Sequence, residues 1–339
     1  MSTFDIKDIE AVTKVAIDRC NNDVTKYSNN QADELITQAL IEANNGKTYL
    51  DWRDVRDGKC RGFFTILETV IYRTTMDGLR GDEYFNEMVE THDVAMGDKP
   101  EFVSEGSDLF VVSKGSDGNS AVRRQRLTGL PTVTVPTYWH WVKVYDELSR
   151  ILGNKIDISR LVDIVGKSVR AGMLDDIYTA WTGVTASDVG GTEFVVSGTY
   201  DEEDLMDLVD LVEAKSGASA IIYATKKGAR KLTSTVQSDA AKDDLYNIGY
   251  YGKFFGTPVV AINQRIKPGT NSLLFDDNVI TVAASVGKPI KLVLEGDPII
   301  NMDNPLNNPD LTQNYLYGQK YGVGFMLSEG AIGKYTITG

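Results

Sequence analysis

Apolar and polar positions recur along this chain with two different periods, and the longest stretch of helical period sets the scale for the rest. Between Asp157 and Thr182, the residues Ile158, Leu161, Val162, Val165, Val169, Met173, Ile177 and Trp181 return every three or four positions. Asp157 offers an N-cap oxygen and Gly183 a C-terminal stop. The spacing predicts one helix about 39 Å long at about 1.5 Å per residue. No second helix of equal length stands beside it in the sequence, so a sheet or another subunit is expected to cover its stripe.

Before it, residues 1–94 read as a helical N-terminal arm or small bundle. Ile6, Ile9, Val12, Val15 and Ala16 form one stripe, Leu35, Ile36, Ala39, Leu40 and Ala43 a second, and a third run spans Phe63 to Met76. The polar joint CNNDVTKYSNN separates the first two, and none is long enough for a coiled coil. Residues 95–148 change to strand character. Leu109–Ser113 and Ala121–Thr128 flank the turn-rich KGSDGNS, which predicts a long hairpin. Alternation puts Val122, Arg124 and Arg126 on one face and Arg123, Gln125 and Leu127 on the other, so neither face suits a core. A two-stranded hairpin is marginal alone in water, so this one is expected to lie on another surface, one that carries carboxylates. PTVTVP (131–136), bracketed by prolines, predicts a strand at a sheet edge, and Tyr138, Trp139, Trp141 and Tyr145 follow as an aromatic cluster.

After the long helix and its flanks (149–198), residues 199–300 read as an α/β module. Thr199 with Glu202 makes a capping-box pattern before DLMDLVDLVEAKSG, whose first turn is acidic. A strand at 219–224, a cap at Thr225, a helix at 226–232 and strands at 257–262, 273–275, 279–283 and 290–294 complete it. Residues 301–339 pass through the irregular MDNPLNNPD and return to strand, with Tyr321, Val323, Phe325 and Leu327 alternating before a last strand at 334–337.

Composition narrows the class. With 339 residues, about two compact units and a large core are expected. Two cysteines, Cys20 and Cys60, make neither a disulfide framework nor a metal cluster, which fits a reducing compartment. No signal-peptide pattern or apolar run of membrane length is present, so a soluble cytoplasmic product is expected. The formal charge of −13, from 48 acidic and 35 basic side chains, argues against a protein that grips phosphates. The same acidity also simply keeps a concentrated protein soluble.

Catalytic chemistry finds no foothold. Gly166, Lys167 and Ser168 imitate the end of a phosphate loop, but Leu161 stands where the first glycine belongs, inside a helical stripe. Gly322 and Gly324 imitate half a dinucleotide fingerprint, yet no helix follows, and they read as strand glycines that admit close backbone approach. His92 and His140 have no second ligand at metal spacing, and no nucleophile elbow occurs. Cys60 lies between Lys59 and Arg61, a setting that lowers a thiol pKa, but lacks a partner base. Asp175 and Asp176 are helix neighbours that do not face each other, and Asp276, Asp277 and Asn278 have the makeup of a turn. The oxygen-rich 301–310 segment lacks calcium-loop spacing. No catalytic, cofactor or metal residue is assigned, and no cofactor is expected.

The order of these parts resembles the major capsid proteins of tailed bacteriophages, the Hong Kong 97-type fold, over residues 95–339. SDLFVVSKGSDGNSAVRRQRL is similar to that family's extended loop, VPTYWHWVKVYDELSRIL to its return, and DISRLVDIVGKSVRAGMLDDIYTAW to its spine helix. SAIIYATKKGARKLTS and YYGKFFGTPVVAINQ look like its axial domain, and YLYGQKYGVGFMLSEGAIGKYTI like its closing peripheral strands. The resemblance implies an α+β fold with helical N-terminal arm, extended loop, spine helix with peripheral sheet, and axial domain. It further implies a non-enzymatic subunit that forms hexamers and pentamers of an icosahedral head around double-stranded DNA. Scaffolding, portal and decoration proteins are the implied partners, and a virion assembled in the bacterial cytoplasm the implied location. Lys114, Arg123, Arg124, Arg126, Trp139 and Trp141 are expected at subunit contacts. The family's lysine to asparagine crosslink is not carried over, because no partner asparagine or adjacent acid can be placed. An encapsulin-type shell and an α/β enzyme are the competing readings.

Overall fold

A computed structural model describes residues 6–20, 29–47, 51, 53–54, 57–81, 83–103, 112, 124–125, 132–147, 158–189, 191–232, 249–267, 269–302, 312–327 and 331–338. The hairpin expected at 109–128 and the N-cap Asp157 lie outside the described residues, apart from Val112, Arg124 and Gln125. So does 303–310 of the irregular segment.

The N-terminal stripes form α1 (Ile6–Cys20), α2 (Asn29–Ala43) and α3 (Arg61–Arg80), followed by the short α4 (Glu83–Met88). The apolar faces of α1, α2 and α3 meet, with Cys60 just ahead of α3, in one cluster of Ala16, Ile36, Leu40, Cys60, Phe63, Ile66 and Val70, while Phe85 and Met88 of α4 join the main core. At 20 residues, α3 is longer than the run from Phe63 to Met76 suggests. Its far end reaches the long helix, and the two halves of its stripe serve two different cores. Strand begins at β1 (Val89–Val94), ahead of residue 95, and continues with β2 (Glu101–Val103), β3 (Thr132–Thr134) and β4 (Tyr138–Glu147).

The spine helix α5 (Ile158–Thr182) forms at the expected residues. Val165, Val169, Met173, Ile177 and Trp181 are buried on one side, each contributing about 1.5–3 kcal/mol of apolar burial as an upper bound. The cover expected from a sheet or another subunit comes within the chain, partly from a helix distant in sequence. Gly166 of α5 is buried against α3, where its Cβ position is 3.8 Å from Thr75 Oγ1, and a Cβ on Gly78 would fall 2.0 Å from Arg170 Nη1. Glycines thus let the two helices approach closely. At its other end, Lys334 donates to the Thr182 carbonyl, at the helix terminus where the dipole favours a cation, while burial pulls the lysine pKa down.

Beyond α5 come α6 (Ala186–Val189), β5 (Val195–Gly198), α7 (Glu202–Ser216), β6 (Ala220–Thr225), α8 (Lys226–Ala229), β7 (Lys253–Phe254) and β8 (Thr257–Ile262). β9 (Val279–Ala284), β10 (Ile290–Glu295), β11 (Ile299–Met302), β12 (Thr312–Phe325) and β13 (Ile332–Ile337) close the chain. The cap of α7 is Asp201, whose carboxylate accepts the Glu203 N–H at 2.9 Å, rather than Thr199. Thr199 is engaged elsewhere: its carbonyl accepts the buried Tyr335 hydroxyl at 3.0 Å. Thr225 caps α8 through the Gly228 N–H at 3.0 Å, as expected. Residues 273–275 contribute only the bridge between Ile266 and Leu273.

Among the described residues the first sheet runs β1-β10-β12-β11, with β4 also on β12, and the second runs β5-β13-β9-β6-β8-β7. Chain order and sheet membership therefore part company. Ile290–Glu295 pairs with β1 and β12, whereas Ile332–Ile337 joins β5 and β9. One continuous core links both sheets, from Ile71 through α5 to Ile337. Trp181 ties them, its indole N–H donating to Thr281 Oγ1 at 2.8 Å and its ring meeting Phe325 edge-on.

Candidate assembly surface

The first sheet has two unlike faces, and the alternation of β4 shows how they differ. Val142 and Val144 point inward and pack against the main core, and so does His140, stacked on Tyr321 at 3.7 Å. Tyr321 donates to Asp176 on α5 at 2.7 Å, and His140 Nε2 lies 3.5 Å from the same carboxylate oxygen. Burial, and then the Asp176 carboxylate, push the Tyr321 hydroxyl pKa far up, so it remains a donor. These contacts fasten β4 to the spine helix and set its plane.

Trp139, Trp141, Lys143 and Tyr145 point the other way. Trp139 and Trp141 stack at 4.9 Å with 17° between their planes. In register they face Lys320, Gly318, Leu316 and Asn314 of β12, and Ile299 of β11 faces Gly318 from its other side. Trp141 is 48% exposed, Tyr145 69% and Ile299 39%, which leaves an aromatic and aliphatic patch open on the outer face. The edge of β4 away from β12 has no strand partner among the described residues. An exposed apolar patch beside a long open edge is how contact surfaces differ from protected ones.

Further along the same face, the glycines of β12 admit the segment that returns into β4. A Cβ on Gly322 would lie 2.2 Å from the Pro136 carbonyl oxygen, and one on Gly324 2.6 Å from Val135 Cγ2. The reading of these two as close-approach glycines is correct. Val135 then joins Phe102, Val293 and Met326 in a small apolar cluster that holds β2 and β3 on the sheet. Beside it, the buried Glu295 carboxylate accepts from Lys320 Nζ at 2.6 Å, from Thr137 Oγ1 and from the Gly97 N–H at 2.8 Å. These partners hold its pKa down at about 2.

Of the residues expected at contacts, Trp139 and Trp141 come together here. Arg124 is exposed, and Lys114, Arg123 and Arg126 lie outside the described residues. Sequence reasoning missed Ile299, Gly318 and Glu295 as parts of this face. The glycine spacing 318, 322, 324 on one face of one strand was the available signal for Gly318, while Ile299 carries no distinguishing pattern.

The remaining chemical candidates resolve into structure. Ser168 donates back to the Ile164 carbonyl at 2.8 Å, mid-helix, so Gly166-Lys167-Ser168 forms no loop. Cys60 is buried and donates to Asn44 Oδ1 at 3.2 Å; burial, aided by Asp54, pushes its thiol pKa up rather than down. Asp175 pairs with Lys267 at 2.9 Å while Asp176 takes Tyr321, so the two diverge. Asp277 accepts from Thr225 at 2.6 Å and Gln264 at 3.0 Å, pinning the turn before β9. Among the described residues no group of three His, Cys, Asp or Glu could hold a metal ion, and no helix is long and apolar enough to cross a membrane.

Comparison with known proteins places this architecture. A family profile described as SPbeta prophage-derived putative capsid protein YonB matches residues 10–336. No curated protein sequence matches. Among solved structures, the "Capsid of native GTA particle computed with C5 symmetry" superposes with a TM-score of 0.51 at 12% identity, covering 76% of this chain and 90% of that one. A chain of Microbacterium phage Oxtober96 gives 0.49 at 8% identity, over 76% of this chain and 91% of that one. The satellite phage P4 procapsid including size determination (Sid) protein gives 0.48 at 11% identity, over 78% and 90%. At such identities the likeness is one of fold, the α+β Hong Kong 97-type capsid fold.

Proposed function

The chain belongs to the SPbeta prophage-derived putative capsid protein YonB family, structural shell proteins rather than enzymes, and on that premise we propose how its subunits build a head. Identical copies join as hexamers and pentamers that close into an icosahedral shell around double-stranded DNA, assembled in the host cytoplasm. Scaffolding, portal and decoration proteins act on that shell from outside the subunit. The observation that carries the reading is the outer face of the first sheet, where Trp141, Tyr145 and Ile299 stay exposed next to an open strand edge. A neighbouring copy covers this patch.

Lys114, Arg123, Arg124 and Arg126 supply the complementary polar contact, docking on carboxylates of the adjacent subunit. The acidic balance of −13 keeps the wall from adhering to its contents, since like charges repel across a Debye length of about 8–10 Å at cellular salt. DNA would be confined rather than gripped.

Replacement of Trp141 and Tyr145 together by Ser tests the patch. The unassembled subunit should keep its thermal midpoint, because both side chains are largely exposed, while particles fail to form. Normal particles from that variant would remove the patch from the interface. Normal shells from a triple Glu replacement of Arg123, Arg124 and Arg126 would remove the docking of the arginines. Nuclease-resistant DNA in particles from infected or induced cells separates a head from an encapsulin-type shell, which would carry protein cargo instead.

A further inference from the structure

One turn in the second sheet holds a residue that its backbone does not suit. Phe255 and Gly256 join β7 to β8, with Phe254 opposite Thr257 and Lys253 opposite Pro258. Both turn residues lie in the left-handed region, Phe255 at φ +46° and Gly256 at φ +93°. A two-residue hairpin of this kind favours Asn-Gly, because asparagine tolerates positive φ and a bulky side chain does not. Among the described residues the other non-glycine residue with positive φ is an asparagine, Asn45. The Phe255 ring is 59% exposed and meets Phe254 edge-on, at 5.0 Å and 86°. Phe254 is buried, so Phe255 stands on a fixed support as a braced knob. Strain kept at an exposed position points to a use outside the subunit.

The far end of β8 carries the counterpart. Beyond Ile262, Gln264 Nε2 donates to the Phe275 carbonyl at 2.8 Å, the Leu274 N–H donates to the Arg265 carbonyl at 2.9 Å, and Ile266 bridges Leu273. Lys267 pairs with Asp175 of α5 at 2.9 Å and ties this finger to the spine helix. Ile266 is 62% exposed and Leu273 56%, so two paired aliphatic side chains face water. The six residues of β8, ~20 Å at about 3.3 Å each, separate finger from knob, so the two do not meet within one subunit. Charge follows the same division: Lys253 is exposed beside the knob and Asp276 beside the finger.

We propose that Phe255 anchors a head-to-tail contact between copies of this chain, its ring covering the Ile266–Leu273 pair of the next copy while Lys253 faces that copy's Asp276. Each subunit then has its knob seated and its finger covered, and repetition of the contact closes a ring. A two-fold contact would set knob against knob and leave the finger in water. The proposal rests on the self-assembly reading above and adds a contact separate from the outer face of the first sheet.

The test uses the full chain and three single variants, Phe255→Asn, Phe255→Tyr and Leu273→Ser. Phe255→Asn supplies the residue that the turn favours, so the thermal midpoint of the unassembled chain should hold or rise by up to about 2 °C. The yield of closed particles should nevertheless fall by at least about tenfold, as it should for Leu273→Ser, while Phe255→Tyr, which keeps the ring, stays within about threefold of the parent. Pairing Phe255→Cys with Leu273→Cys in one chain checks the geometry. Mild oxidation of assembled particles should give a ladder of crosslinked oligomers on a non-reducing gel, with Phe255→Cys alone giving none. Parental yield from both Phe255→Asn and Leu273→Ser would overturn the proposal, and so would dimers from Phe255→Cys alone or the absence of a ladder from the pair. A yield that falls only in step with a lowered midpoint would overturn it too. A parent chain that forms no particles contradicts the self-assembly reading itself, an outcome distinct from parental shells alongside normal variant shells.

Discussion

The indole of Trp141 lies where a side chain on Gly318 would stand: a Cβ there would fall 2.0 Å from Trp141 Cζ3. The two residues face each other across β4 and β12, so the glycine makes the seat that turns an exposed tryptophan into part of a flat contact face. Gly318→Ala should lift the ring off the sheet. Because Trp141 is half exposed and free to move outward, the subunit should lose only about 1 kcal/mol in urea unfolding. Gly322→Ala should cost more, about 2–3 kcal/mol, because its Cβ would fall 2.2 Å from the Pro136 carbonyl oxygen, a backbone atom that cannot swing away. Equal costs for the two variants would contradict this account of the outer face.

The spine helix carries two interior glycines with different surroundings. Around a Cβ on Gly172 nothing lies within 4 Å, and on Gly166 the nearest atom, Thr75 Oγ1, is at an ordinary 3.8 Å. Alanine at either position should therefore stabilise the subunit by about 0.5–1 kcal/mol through helix propensity. Thermal denaturation of the single variants checks the sign. If the raised midpoint of Gly172→Ala comes with fewer closed particles, the glycine serves bending of the spine; unchanged assembly would leave it no such role.

Much of this was legible in advance, for a physical reason. Long periodic stretches report their own burial, so the stripe from Val165 to Trp181 and the alternation of Tyr321 and Val323 led directly to α5 and β12. The ordered sequence of parts pointed to the shell fold as a whole. Pairings between distant segments were harder to see. Nothing in Arg61–Arg80 says that its second half packs on a helix that begins at Ile158, and nothing in Ile290–Glu295 says that it leaves the strands around it for the first sheet. Contacts of that kind are decided by three-dimensional fit, not by period. The candidate surface was legible in its tryptophans because they alternate within one strand. Glu295 was invisible, since a single glutamate at a strand end has no pattern, and its importance comes from three partners drawn from Gly97, Thr137 and Lys320.

The indole of Trp181 joins the spine helix to the second sheet through the 2.8 Å bond to Thr281 Oγ1, in a fully buried setting. Trp181→Phe and Thr281→Val should each destabilise by about 1–2 kcal/mol beyond the change in packing. The double variant should cost less than their sum, with a coupling of about 1 kcal/mol. Strict additivity would mean that the bond contributes nothing to stability.

Glu295 predicts the acid response. Its folded pKa of about 2 lies below the unfolded value of about 4.3, so the folded state binds fewer protons and the carboxylate stabilises the fold above pH 4.3. That contribution should disappear as pH falls from about 4.5 towards 2, amounting to about 1–2 kcal/mol. Glu90 adds to the same limb: burial opposes its ionisation, but Lys291 and His92 outweigh burial and hold its pKa below the usual range. Urea midpoints of the unassembled chain between pH 7 and 2.5 should fall less steeply in Glu295→Gln than in the parent. Parallel curves would show that the carboxylate does not titrate with folding.

The central claim is that this subunit builds a closed shell from copies of itself. Electron microscopy of the full chain, purified after expression or from induced particles, tests it most directly. The account predicts closed icosahedral particles with hexameric and pentameric capsomers, in which the outer face bearing Trp141 and Tyr145 is covered by a neighbouring subunit. Only monomers or small soluble oligomers at every concentration and salt tried, or shells with that face open to solvent, would contradict it.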